Sequence, residues 1–428
     1  MKSLRSSVNA AITLGVCSLA IPASADVFNP NNPVPELHSV GGANTSGSFA
    51  AASQMGEVGF NNAPIQPSWE TFITSACTTQ TKTVAPSSVW PAVCNPDGMA
   101  LALNTFTPAH WVTFKYPGTA AGQTNALNET VLSLQFYHSP AVVPIYGQAD
   151  HWVVVTQITA LFITSTTFTI QQVKGYDAGP SMGNDSSFNT YNGGLQSWSG
   201  NTWKNVFFLV LTAINPSCDF VAGGCGAPPV SDPFYGQYLL MFEPPAGDRP
   251  HLDTTFAQSA GVVPAGHMNE HLAQARLWDS LINAGINNDP QIWNAISGTT
   301  PGPASLVNAV FPDGSPWNYF LVPLLSNKGL VVAFVQLSAD DGSFDHIQVL
   351  PTPAPFTAVP KTTAAQLAHG ALADGETLND GVLTWDPRNP QTGRSPSFPY
   401  YEFSVAGAAK GSAPVRVMLH DGSTVRGR

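Results

Sequence analysis

Apolar residues are grouped into short runs in several stretches of the chain and recur at helical spacing in others. Apolar residues at helical spacing predict a helix over 126–137. Runs rich in β-branched residues follow at 141–146, 152–155 and 168–173, and polar turns separate them. The pattern therefore predicts a helix that leads into a small antiparallel sheet.

The C-terminal third contains a weak internal repeat. Helical spacing at 267–284 precedes strand-like runs that turn at 341–343, and a shorter helical segment at 363–373 precedes runs that turn at 421–423. Both turns have the sequence Asp-Gly-Ser, and Asp-Gly between apolar runs favours a hairpin. We therefore expect two helix-and-hairpin units, at about 260–352 and 360–428.

The helix and strand signals are absent from one segment of the chain and interrupted at another, and these two places divide the chain into regions. Residues 26–60 are rich in Asn, Gly, Ser and Pro and predict an irregular arm or linker. A segment rich in Pro and Gly at 242–250 separates a domain at 61–245 from a C-terminal region at 246–428. The mixture of helical and strand signals predicts an α+β protein.

The N-terminus has the features of a secretory signal peptide. Two basic residues precede an apolar stretch at 10–21, which ends in an Ala-x-Ala sequence at Ala25. This arrangement predicts a signal peptide at 1–25 that is cleaved near Ala25/Asp26. The mature protein is then expected to be secreted or periplasmic.

Composition narrows the possible partners. Charged residues make up 10% of the 428 residues, and the formal net charge is −11 at pH 7. An acidic chain with few basic residues lacks the positive surface that nucleic acid requires. No uninterrupted apolar run is long enough for an integral membrane segment after signal cleavage. The oligomeric state cannot be deduced from these numbers.

Cys94 is the first candidate for chemistry. It lies two residues before Pro96 and three before Asp97, and both residue types favour the first turn of a helix. The free backbone N–H groups and dipole at a helix start lower a thiol pKa, which makes a thiolate nucleophile available. The same N–H groups can stabilise an oxyanion.

His151 and Asp177 are the candidate base and orienting carboxylate. His151 opens the apolar run at 152–155, so a predicted strand would hold its imidazole at one end of the sheet. Asp177 follows the run at 168–173, on the strand expected to pair with the first. The order Cys, His, Asp along the chain is one that supports nucleophilic catalysis.

These segments resemble the bacteriocin-leader (double-glycine leader) peptidases, a branch of the papain-like cysteine peptidases. Cys94-Asn95-Pro96 is similar to their Cys-Gly-Pro helix start, with Asn in place of Gly. Segments 139–144 and 151–155 are similar to their Pro-Val-hydrophobic stretch and HWVVV-type strand. In place of their Asp-Pro pattern, Asp177 is separated from Pro180 by two residues.

The resemblance implies a papain-like fold, with a helix and an antiparallel sheet, for residues 61–245. It also implies hydrolysis of a peptide or protein substrate by Cys94, His151 and Asp177. In that family a Gln upstream of the Cys completes the oxyanion hole, and Gln80 is the best match, with Gln66 as the alternative. No metal or organic cofactor is expected. The C-terminal units resemble PepSY-like modules, which accompany exported bacterial peptidases as inhibitory or binding elements.

The cysteines leave a second interpretation open. Cys218 and Cys225 flank a glycine-rich loop and are expected to form a disulfide in an exported protein. Cys77 could pair with Cys94 in the same way. That bridge would remove the nucleophile and leave a binding protein without catalytic activity.

A zinc hydrolase is the third interpretation. His267, Glu270 and His271 form an H-x-x-E-H string on a predicted helix, the pattern of inverted zinc peptidases. The next glutamate that could be a third ligand is Glu376, far along the chain in the other predicted unit. A solvated helix start is therefore the preferred interpretation of this string.

Overall fold

The structure is a computed structural model of the chain. It describes residues 26–28, 96, 100, 104, 111–135, 141–144, 152–162, 167–177, 194–211, 234–242, 253–256, 268–310, 315–386, 395–407 and 413–426. The predicted signal peptide lies outside these residues, as does most of the predicted arm. Asp26–Phe28, assigned to that arm by composition, instead forms a strand.

Strands make up most of the regular structure in the described part of the chain. In order they are β1 (Asp26–Phe28), β2 (Val112–Pro117), β3 (Ala141–Pro144), β4 (Trp152–Phe162), β5 (Thr167–Asp177), β6 (Gly194–Ser199), β7 (Gln237–Phe242), β8 (Asp253–Phe256), β9 (Thr300–Pro301), β10 (Ser305–Val310), β11 (Pro316–Leu325), β12 (Leu330–Ser338), β13 (Phe344–Pro355), β14 (Thr377–Leu378), β15 (Val382–Trp385), β16 (Tyr400–Phe403), β17 (Val405–Ala406), β18 (Val415–Met418) and β19 (Thr424–Arg426). The helices whose ends lie within the described residues are α1 (Ala120–Gln135), α2 (Gly200–Thr202), α3 (Glu270–Asn283), α4 (Pro290–Ile296) and α5 (Lys361–His369). A π-helix, Trp203–Phe207, continues α2, and a 3₁₀ turn, Ile286–Asn288, separates α3 from α4.

One mixed sheet joins nearly all the strands. Its pairing order is β2-β7-β3-β4-β5-β6-β13-β12-β11-β10-β15-β16-β18-β19. Three short strands extend this order, because β1 pairs with β4, β8 with β5 and β9 with β11. The β10–β15 and β5–β8 pairs are parallel, and the other pairs are antiparallel. A separate pair is formed by β14 and β17.

The expected fold class is wrong. The chain is mostly β, with few helices, and is not the helix-plus-sheet α+β architecture of a papain-like domain. The local sequence pattern underestimates the length of the strands, since β4 and β5 extend well past the apolar segments that predicted them. It also gives no sign that β6, from the region before 245, pairs with β13, from the region after it.

Each face of the sheet has its own hydrophobic core. On the α1 face, Leu127 and Val131 of α1 share a core with Val153 and Val155 of β4. On the α3/α4 face, the alternate residues of β4 pack in a core with apolar residues of α3 and α4. This second core includes Ala100, Trp111, Trp152, Val154, Tyr176, Leu277 and Ile292. The alternation over the first four residues of β4 follows from the pleat of a strand that is buried on both sides, and a register shift between Val155 and Gln157 then moves Ile158 and Ala160 to the α1 face.

Three of the helices follow the periodic segments that predicted them, whereas no such segment predicted α2 or α4. α1 covers most of the segment predicted at 126–137. α3 lies within the segment predicted at 267–284, and α5 overlaps the one predicted at 363–373. Among the helices of the described residues, none combines the length and apolar character needed to cross a membrane.

The two Asp-Gly-Ser turns have the same geometry. Gly342 and Gly422 both have φ of +73°, a left-handed conformation that favours glycine. In each turn the Ser backbone N–H donates to the Asp side chain, at 2.9 Å for Ser343 and 2.8 Å for Ser423. Each turn also packs near a residue at or before the helix of its own predicted unit. The domain boundaries at 60 and 245 and the duplication itself stay predictions.

Candidate functional site

The end of β5 is paired with the beginning of β4. Asp177, the last residue of β5, is directly opposite Val153, and Tyr176 is opposite Val154. His151 immediately precedes β4 and lies outside the described residues. Of the predicted catalytic residues, only Asp177 has its backbone described, and the residue opposite it, Val153, lies two positions after His151 in sequence.

The segment after Cys94 is helical wherever the structure describes it. Pro96, Ala100 and Asn104, spaced by four, are all in α-helical conformation. Ala100 is buried in the same core as Trp152, the first residue of β4. The Asn104 side chain donates to Trp111 O at 2.9 Å and accepts from Trp111 N at 2.6 Å, which ties this helical segment to the start of β2.

The remaining cysteine and glutamine predictions fall outside the described residues. These are Cys77, Cys94, Cys218, Cys225, Gln66 and Gln80. The state of the thiols and the oxyanion glutamine therefore stay predictions.

The H-x-x-E-H string lies at the start of α3. Asn269 caps the helix by accepting from Leu272 N at 3.0 Å, and Glu270 is in the first turn, where its charge favours the helix dipole. Glu270 and His271 are both exposed, and His267 lies outside the described residues. Within the described ranges no group of three His, Cys, Asp or Glu could hold a metal ion.

A buried ion pair fixes β5 to the start of α4. Lys174 Nζ is 2.7 Å from Asp289 Oδ2 and donates to Asp289 Oδ1 at 2.9 Å, and only 6% and 3% of the two side chains are exposed. Asp289 is also the N-cap of α4, accepting from Gln291 N and Ile292 N. The Asp289-Pro290 dipeptide is a recognisable helix start, but nothing local in the sequence identifies Lys174 as its partner.

A second link joins the same two elements. Gln291 Nε2 donates to the Tyr176 hydroxyl at 2.9 Å. Lys174 and Tyr176 alternate along β5 with one residue between them, so both side chains lie on the α3/α4 face. Residues at the start of α4 are therefore bonded to Tyr176 and Lys174, which lie one and three positions before Asp177.

A buried carboxyl lies at a β-bulge where the two predicted regions meet. Gln336 is opposite His346 and Leu337 is opposite Phe344, which leaves Asp345 as the extra residue of β13. Asp345 accepts from the Thr202 hydroxyl at 3.1 Å and from Trp317 Nε1 at 3.3 Å. Burial raises the pKa of the Asp345 carboxyl to about 7, although both hydrogen bonds act to lower it.

Polar and aromatic side chains continue from this bulge across the α1 face. His346 Nε2 is 2.9 Å from Gln196 Oε1, and the His346 ring stacks on Trp198 with centroids 5.9 Å apart. Trp198 also contacts Trp203 of the π-helix at 4.9 Å between ring centroids. Trp152 and Trp203 are each 1% exposed and therefore belong to the core.

In comparisons with known proteins, no family model, curated protein or solved structure matches the chain.

Proposed function

We propose that the protein is an exported cysteine-type hydrolase that cleaves peptide or amide bonds in a peptide or protein substrate. Cys94 is the nucleophile, His151 the general base and acid, and Asp177 the carboxylate that orients the imidazole. The antiparallel register between β4 and β5 is the observation that carries the proposal, because it pairs Asp177 with Val153.

The register supports a His–Asp pair at the end of these strands. In the proposed site β4 extends by one residue, so that His151 becomes the diagonal neighbour of Asp177. Diagonal neighbours in an antiparallel pair are roughly 7–8 Å apart, which long or aromatic side chains can span. A carboxylate whose side chain spans that separation and hydrogen-bonds the imidazole can hold it in one tautomer and stabilise its protonated form.

The helical segment after Cys94 supports the position of the nucleophile. Ala100 of this segment packs in the core of the α3/α4 face with Trp152. Val153, opposite Asp177, packs in the core of the other face. The proposal therefore requires Cys94 to lie beyond the ends of the strands, where a helix start can approach residues from both faces.

The chemistry then proceeds in two steps. His151 takes the Cys94 proton, and the thiolate attacks the carbonyl carbon to form a tetrahedral oxyanion. Its collapse forms a thioester and breaks the C–N bond, and the imidazolium gives its proton to the leaving amine. Water, deprotonated by His151, then attacks the thioester carbonyl, the C–S bond breaks to release the acid, and the imidazolium returns its proton to the Cys94 sulfur or keeps it in the thiolate–imidazolium pair. The Cys94 amide and Gln80 stabilise the oxyanion in both steps.

Labelling of the native thiols tests this function. Purified mature protein is treated with iodoacetamide without reductant, and the adducts are located by intact mass and peptide mapping. An adduct on Cys94 that becomes much slower to form in His151→Ala supports an activated nucleophile. A Cys77–Cys94 bridged peptide without an adduct would overturn the proposal and favour a binding protein. Cys77→Ser serves as the matched control, because it removes that bridge and leaves Cys94 in place.

A further inference from the structure

The C-terminal region is predicted as a separate module, but two of its side chains, Asp289 and Gln291, are bonded to the strand that carries Asp177. We infer that Gln291 and Asp289, at the start of α4, are positioning residues for Asp177, so that the C-terminal region is part of the machinery of the hydrolase. This inference rests on the proposed Cys94–His151–Asp177 site and assigns a role to residues well over one hundred positions later in the chain.

The first argument is the pair of anchors on β5. The Lys174–Asp289 ion pair and the Gln291–Tyr176 hydrogen bond hold alternate residues of the strand, and both are on the same face. A strand rises only about 3.3 Å per residue, so a shift of Tyr176 moves Asp177 by a similar amount. Asp289 is itself fixed by its bonds to the first backbone N–H groups of α4, so the anchor point is rigid.

The second argument comes from the other neighbour of Asp177. Asp177 is paired on its second edge with Gly194 of β6. Gly194 has φ of +106°, and a Cβ at this position would lie 2.4 Å from Val349 O of β13. The backbone of β13 therefore approaches β6 closely opposite Asp177. Residues of the C-terminal region thus fix both the strand of Asp177 and the strand beside it.

The chemical consequence concerns the orientation of the imidazole. A carboxylate stabilises an imidazolium only at hydrogen-bonding distance and with suitable alignment. If the end of β5 shifts, the Cys94 thiolate loses part of its stabilisation by protonated His151. Its pKa then rises towards that of an ordinary thiol, while the fold is retained.

Two mild variants test the inference, since each removes the Gln291–Tyr176 hydrogen bond and keeps both members of the Lys174–Asp289 ion pair. Tyr176→Phe keeps the ring and loses the hydroxyl, and Gln291→Met keeps the length of the side chain and loses the donor. Gln274→Met is the matched control. Gln274 lies on α3, away from β5, and its Nε2 donates a similar hydrogen bond to Pro301 O at 3.0 Å. The rate of Cys94 alkylation by iodoacetamide is measured from pH 5 to pH 10, with the melting temperature of each variant.

We expect alkylation at pH 6 to slow roughly three- to tenfold in Tyr176→Phe and Gln291→Met, as small misplacements of catalytic groups slow reactions. The double variant should match the single ones, because both substitutions remove the same hydrogen bond. Rates at pH 10, where the thiol is ionised in every variant, should coincide. Gln274→Met should follow the wild-type profile.

The outcomes separate this inference from the function on which it rests. Profiles of folded Tyr176→Phe and Gln291→Met that superimpose on an activated wild-type profile would overturn the positioning role alone. An ordinary thiol profile in the wild type, unchanged in His151→Ala, would overturn the proposed function and the inference with it.

Discussion

Lys174 and Asp289 form an ion pair that is almost completely buried between β5 and the start of α4. Burial removes both charges from water, so either charge alone would be strongly disfavoured in this position. The pair therefore makes the association of β5 with α4 an all-or-none feature of the fold.

Removal of one member of this pair should lower the free energy of unfolding more than neutralisation of both members does. Lys174→Met leaves the Asp289 carboxylate buried without its cation and should lower the free energy of unfolding by about 3–5 kcal/mol at pH 7. Adding Asp289→Asn should restore part of this loss, because Asn carries no charge and still caps a helix. Urea unfolding measures both. A double variant less stable than Lys174→Met would contradict this explanation.

Asp345 should make the stability of the protein depend on pH. Its pKa is about 7 in the folded protein against an ordinary value of 3.8, so between these values the folded state binds more protons than the unfolded state. Stability from this group is then fully present below about pH 4 and is lost as the pH rises to about 7, by about 4 kcal/mol in total.

Asp345→Asn isolates that contribution. The Asn amide can accept from Trp317 Nε1 and donate to the Thr202 hydroxyl oxygen, so the buried hydrogen bonds can be kept without a titrating group. We expect the variant to lose less stability than the wild type between pH 4 and pH 8, as measured by urea unfolding at several pH values. Parallel curves for the two proteins would show that Asp345 does not titrate in this range.

The Asp-Gly-Ser turns should respond alike to a side chain at their glycine. Gly342→Ala and Gly422→Ala each force a left-handed conformation on alanine, at a cost of about 1–2 kcal/mol. Gly298→Ala is the matched control, because no atom lies within 4 Å of the added Cβ and its φ is not in the left-handed range. Thermal unfolding should show two similar losses and a nearly unchanged control. A neutral effect at either turn would show that the two turns are not equivalent in energy.

Local signals in the sequence predict some of these elements well. The Asp-Gly turns, the apolar run that starts β4 and the helix of Asn269 all depend on neighbouring residues, so their pattern is visible in the chain. The fold class failed because strand pairing depends on distant residues. Nothing near Trp198 indicates that its strand pairs with that of His346.

The same limit applies to the candidate site. Asp177 was identified from its place after an apolar run, and its register with Val153 is a local consequence of the β4–β5 pair. Lys174–Asp289, Tyr176–Gln291 and the bulge at Asp345 join residues far apart in the chain. The sequence shows which residue types are present but not the distances between them in the folded protein.

The ionisation of the Cys94 thiol tests the central claim most directly. The measurement is the rate of alkylation of Cys94 by iodoacetamide at pH 6, in the wild type and in His151→Ala. An ordinary thiol, with a pKa of about 8.5, is less than about 1% ionised at this pH, whereas a thiolate paired with imidazolium is mostly ionised. The account predicts a wild-type rate at least about tenfold higher than that of His151→Ala. Equal rates in two folded proteins would contradict it.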